Sequence, residues 1–222
     1  MTLEKKSSRS SFRPQPLLLL LGMLPLAVAG ASSTQAQKYS DWSASVNLGS
    51  VINSALSDQG PALSRDGLSL YFTSNRAGGL GGFDMYVSQR ESANDEWGSP
   101  MNLGPTVNTA FDEGNPAFSR DGHLLFFQSK RPGGLGGIDL WVTRREHTHD
   151  DFDWQLPVNL GAGVNSSADD NGPTYFENED DGPPQLYFGS SRSGGLGAAD
   201  IYLSEQMPDG SFGPATLVTE LS

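Results

Sequence analysis

From about residue 58 onward, apolar and polar positions alternate in short runs. Leu68, Leu70 and Phe72 alternate with Ser69 and Tyr71, and Ile138, Leu140 and Val142 alternate with Asp139 and Trp141. A period of two is that of a β-strand with two different faces. No window longer than a few residues repeats apolar positions at helical spacing, so almost no helix is expected after residue 36. The runs are separated by explicit turns. Ser-Arg-Asp-Gly occurs at 64–67 and again at 119–122, where Asp tolerates left-handed geometry and Gly supplies positive φ without steric cost.

The strands belong to a repeat. RAGGLGGFDMY at 76–86 returns as RPGGLGGIDLW at 131–141 and as RSGGLGAADIY at 192–202. Pro61, Pro116 and Pro173 mark the same place in each unit, 55 and 57 residues apart, while Asp84, Asp139 and Asp200 are 55 and 61 apart. The longer last interval comes from an acidic insertion at 177–184. A second motif, an aromatic residue followed by a short apolar strand, occurs four times, at 42–48, 97–103, 154–160 and, degraded, 212–217. Each unit therefore predicts four short antiparallel strands, in the second unit roughly 115–119, 123–129, 138–144 and 154–160. Four strands per unit, repeated, is the pattern of propeller blades. The expected fold is all-β: three four-stranded antiparallel blades at about 58–104, 113–161 and 170–218, plus one spare outer strand at 42–48.

The run NPAFSRDG at 115–122, followed by LFFQSKR at 125–131 and GGIDLW at 136–141, closely resembles the WD40-like PD40 repeat. That family includes the TolB propeller and periplasmic proteins that join such blades to an OmpA-like peptidoglycan-binding domain. The resemblance covers residues 46–218 and implies a TolB-like β-propeller of the cell envelope. The chain departs from the family in having three blades where six or so are usual, and no OmpA-like domain after them. Three blades are too few to close a ring. The expectation is a partial propeller, or half of a six-bladed ring made by a homodimer.

Composition sets the compartment. Residues 1–36 carry Lys5, Lys6, Arg9 and Arg13, an apolar stretch at 17–26 and small-residue cleavage candidates, the plan of a secretory signal peptide. The expected product is a repeat domain of residues 37–222, periplasmic or secreted, with no stable membrane insertion. The full chain has a net charge of −12 and no cysteine. Residues 1–36 hold four of its 14 basic residues and one of its 26 acidic ones, so the remainder stands at −15. Such a surface repels nucleic acid, and the absence of cysteine excludes disulfide scaffolds and thiol chemistry.

Three sets of residues are candidates for chemistry. The glycine segment lacks the Lys or helix start that a phosphate loop needs. Gly79, Gly134 and Gly195 with Asp84, Asp139 and Asp200 therefore read as structural parts of every blade. Arg76, Arg131 and Arg192 are placed to pair with those aspartates, or else the carboxylates accept loop N–H groups. The second set, Asp58, Asp112, Glu113, Asn115, Asp169 and Asp170, lies on acidic connections that emerge with the glycine loops on one face. With the three arginines, these are the candidate binding residues. Carboxylates gathered there would suit Ca²⁺, although no cofactor is required; paired turn residues are the plainer reading. The third set, His147 and His149 among Asp150, Asp151 and Asp153, offers a His-x-His metal pair or a floppy acidic loop.

No nucleophile beside a base, and no singled-out pair of carboxylates, points to catalysis. The expectation is a binding or scaffold module of the envelope that is not an enzyme and takes a protein, a glycan or a cation. The alternative is a sialidase-like hydrolase.

Overall fold

The structure is a computed structural model that describes residues 43–177 and 182–221. The predicted signal segment, Trp42 and the middle of the acidic insertion lie outside those residues. Within the unit 46–222, twelve strands form three separate four-stranded antiparallel sheets, each in simple sequence order. The first is β1 (Asp58–Leu63), β2 (Ser69–Ser74), β3 (Asp84–Gln89) and β4 (Met101–Asn102). The second is β5 (Glu113–Phe118), β6 (Leu124–Ser129), β7 (Asp139–Arg144) and β8 (Val158–Asn159). The third is β9 (Asp170–Phe176), β10 (Gln185–Ser190), β11 (Asp200–Glu205) and β12 (Thr216–Leu217). No sheet closes on itself. The architecture is that of three propeller blades, a partial propeller.

Alternation decides which neighbour each face meets. Tyr71, Met85 and Val87 of the first sheet pack with Leu125, Phe127 and Trp141 of the second. Phe126 and Leu140, on the opposite face of the second sheet, pack with Leu186, Phe188 and Tyr202 of the third. Aromatic contacts repeat at both junctions. Phe118 meets Tyr71 edge-on at 4.8 Å between ring centroids, and Tyr175 stacks on Phe126 at 4.6 Å. Trp154 and Phe212 close each contact from outside. The recurring aromatic residue of the outer strand is therefore junction packing, worth about 0.5–1.5 kcal/mol per ring pair beyond the area it buries.

The structure differs from the sequence expectation in three places. The outer strands are two residues long, because Pro100, Pro157 and Pro214 have no N–H to donate and interrupt the ladder; Arg145 and Trp154 rejoin it only as an isolated bridge. Residues 43–48, expected as a spare outer strand, form no strand pairing. They keep the sequence of β4 and β8, which pair with β3 and β7, but no described strand precedes them to take that part. A four-residue helix, Gly49–Ile52, follows them, and Ile52 plugs the outer face of the first sheet beside Leu70, Phe72 and Tyr86.

Candidate functional site

Each blade builds the same support from four residues. In the first, the Asp58 carboxylate accepts hydrogen bonds from the Ser54 amide and hydroxyl, and from Arg76 at 2.6 Å. Arg76 also donates to the Ile52 carbonyl and the Ser74 hydroxyl and lies over the Phe72 and Tyr86 rings. Burial works against the charge of Asp58, but the bonds from Ser74, Arg76 and Ser54 outweigh it and hold its pKa down to about 2. Arg192 and Asp170 repeat the pair at 2.6 Å. In the second blade the acid is Glu113, bound by Thr109 and Ser129, with Arg131 at 3.4 Å.

The glycine loop resolves the open choice between partners. Asp84 accepts the Leu80 amide, Asp139 the Leu135 amide and Asp200 the Gly197 amide, while the arginines turn to the other acid. Gly79, Gly134 and Gly195 press against these carboxylates. A Cβ on any of them would fall within 2.0 Å of an aspartate oxygen, so only glycine fits.

Asp112 and Asp169 have a different task. Each accepts a backbone amide from the preceding blade, from Phe83 and Ile138 respectively, both at 3.0 Å. Asp112 also pairs with Lys130 at 2.8 Å, and that hydrogen bond keeps its carboxyl below the ordinary range. Of the candidate binding residues, Asp58, Glu113 and Asp170 are thus buried within their blades, whereas Asp112 and Asn115 reach a cleft.

That cleft, of about 180 Å³, lies between the first and second blades. Gln59, Thr73, Phe83, Asp112, Asn115, Gln128, Lys130 and Ile138 contribute to it. It is where the second blade departs from its siblings. Asn115 stands where the others have Gly60 and Gly172. Gln128 replaces Thr73 and Gly189, Lys130 replaces Asn75 and Ser191, and Glu113 replaces two aspartates. Asn115 keeps the backbone of its glycine siblings, with φ 53° against 58° and 60°. It is the one described residue other than glycine with positive φ. Left-handed geometry costs a side-chain-bearing residue roughly 1 kcal/mol, least for Asn. Its amide donates to the Thr73 hydroxyl at 2.9 Å, and its side chain donates to Gln128 at 2.8 Å.

The link between β7 and β8 of the second blade holds a residue, Asp151, whose role the sequence did not reveal. Asp151 is 3% exposed and accepts from Arg145 at 2.9 Å, Tyr71 at 2.9 Å, Ser69 at 2.5 Å and Gln89 at 2.7 Å. Arg145 is itself 2% exposed and lies over the Trp154 ring. The link read as a floppy acidic loop therefore fastens the second blade to the first. Burial and the Asp151 carboxylate raise the Tyr71 pKa. His147 is held by Asp153 at 2.8 Å, with the His149 ring 5.9 Å away. Among the described residues no three His, Asp or Glu side chains gather where they would share one metal ion.

Comparison with known proteins adds only the fold. No known protein family matches the chain, and no curated protein does. The structure is similar to that of putative TolB from Agrobacterium tumefaciens (20% identity, TM-score 0.43, 68% of this chain and 43% of that one). It is also similar to an α-L-arabinofuranosidase from Lactobacillus brevis (10% identity, TM-score 0.43, 65% and 51%). A third is the catalytic domain of a Coprinopsis cinerea GH62 α-L-arabinofuranosidase (11% identity, TM-score 0.44, 72% and 50%). The chain spans about half the length of these structures. They correct one expectation. The chain was expected not to be an enzyme, but several similar structures are glycoside hydrolases, so the fold leaves catalysis open.

Proposed function

We propose that this chain is an exported propeller-type binding module of the cell envelope, a relative of the PD40 and TolB-like proteins, which takes a glycan in the cleft between its first two blades. The observation that carries this reading is the coincidence of position and departure. Asn115, Gln128 and Lys130 are places where the second blade differs from its siblings, and all three line the same cleft. A feature common to all blades serves the fold, whereas a change confined to one blade is free to serve a ligand. Asn115 retains a left-handed backbone that a glycine would hold without strain, as expected where strain is tolerated for function.

The chemistry favours a neutral, hydroxyl-rich ligand. Amide donors and acceptors, a hydroxyl and a Lys–Asp pair flank the apolar Phe83 and Ile138. The volume is below the roughly 300–1,000 Å³ of clefts for drug-sized ligands and suits about one sugar unit. A cation is disfavoured, because Lys130 already neutralises Asp112. Export rests on the composition of residues 1–36.

The test is calorimetric titration of residues 37–222 with a panel of envelope and plant-wall oligosaccharides, each mixture also assayed for product release. The variants Asn115→Gly and Lys130→Ser install residues that sibling blades already carry. Both are expected to keep the melting temperature while weakening binding about tenfold or more. If no glycan binds, or if both variants bind as the wild type does, the proposal fails.

A further inference from the structure

The two internal junctions show how one blade receives the next, and each end of the described array carries half of such a junction. At the first junction the Phe83 carbonyl accepts the Glu113 amide at 2.8 Å, and at the second the Ile138 carbonyl accepts the Asp170 amide at 2.8 Å. Beside these bonds the backbone comes very close. A Cβ on Gly81 would stand 1.8 Å from the Phe111 carbonyl oxygen, and one on Gly136 2.0 Å from that of Ala168. The third blade repeats the receiving half. Ala199 stands where Phe83 and Ile138 do, and no described residue bonds its amide or carbonyl. Gly197 is still glycine, yet a Cβ there would meet nothing nearer than Asp200 at 3.4 Å. Tyr187 and Leu203, counterparts of the fully buried Tyr71 and Val87, are only partly buried.

The first blade carries the inserting half. Leu63 takes the place of Phe118 and Tyr175, the aromatics that pack on the preceding blade, and is 51% exposed. Leu56 takes the place of Phe111 and Ala168, the residues whose carbonyls touch the junction glycines, and is 56% exposed.

We propose that a second copy of this chain docks head to tail, its Leu56 and Leu63 meeting Gly197, Ala199 and Tyr187 of the first as the internal blades already meet. Two chains supply six blades, within the four to eight that close a propeller, and a head-to-tail contact that closes forms a ring with every end covered. The occupant follows from complementarity within one sequence, since both halves of the contact are copies of surfaces that bind each other twice inside the chain. Docking has a structural consequence. Residues 46–48 of the incoming copy and 216–218 of the receiver are copies of one strand and address the same edge of β11, so one displaces the other.

Sedimentation velocity of residues 37–222 over micromolar concentrations tests the contact. The expected species has the mass of two chains. Gly197→Ala adds a Cβ with room in the single chain but none in the junction. It is expected to weaken association at least about tenfold and to leave melting of the dilute protein unchanged. Leu63→Glu disables the opposite end. Alone, each variant is monomeric; mixed, they form a 1:1 pair through the one intact junction. A wild type that stays monomeric throughout, a Gly197→Ala chain that associates as tightly as the wild type, or a mixture that stays monomeric overturns the proposal.

Discussion

Asp151 offers the sharpest test of how the blades are held together. Asp151→Ala removes the acceptor for Arg145, Tyr71, Ser69 and Gln89 at once and leaves a guanidinium that is 2% exposed without its counter-ion. Breaking a buried pair from one side costs about 3–5 kcal/mol. For a domain of this size, each kcal/mol shifts the melting point by roughly 2–4 °C. The expected fall is therefore about 6–20 °C, read by circular dichroism or calorimetry. The cost should be that of stranding a charge, not of losing packing. A cycle with Arg145→Met and the double variant isolates that part, and the double variant is expected to be more stable than Asp151→Ala alone. A loss under about 1 kcal/mol, or losses that simply add, would refute the reasoning.

Three further outcomes follow from the repeat. Gly136→Ala should cost several kcal/mol or prevent folding, because its Cβ would meet the Ala168 carbonyl oxygen at 2.0 Å; Gly197→Ala, at the same place in the third blade, should melt like the wild type when both are dilute enough to be single chains. Asp139→Ala should lower the melting temperature by leaving the Leu135 amide unmet, a loss of about 1–3 kcal/mol. Asp58, depressed from 3.8 to about 2 in the folded chain, should contribute about 2 kcal/mol at neutral pH. A depressed carboxyl stabilises above its unfolded pKa, so this contribution is complete above about pH 4 and is lost as pH falls towards 2. Over that window the stability difference between wild type and Asp58→Asn should shrink, as followed by denaturant titration at each pH.

What the sequence made legible was what it said three times. The strands, the glycine loop and the order of the sheets, with the SRDG turn of the first two units, all follow from periodicity and from residues recurring at fixed spacing. The partners of the arginines did not follow. Arg76 lies near both Asp58 and Asp84 in the chain's pattern, and only packing shows that Asp84 is taken up by loop amides. Asp151 was hidden for the opposite reason: it has no counterpart in the other blades and stands in a run of acids that reads as a solvated loop. The cleft was half visible. Asn115 and Asp112 were candidates by type, but Gln128 and Lys130 emerge only once the blades are superposed in register and their differences compared.

The shortness of β4, β8 and β12 has a bearing on life at high concentration. A sheet that ends in a long, straight strand invites a neighbour to extend it, and repeated proteins carry that risk once per repeat. Here each outer strand offers two residues before a proline on one side and a turn on the other. Indiscriminate growth sideways finds little to pair with, and the surfaces left for specific association are the faces of the first and third blades.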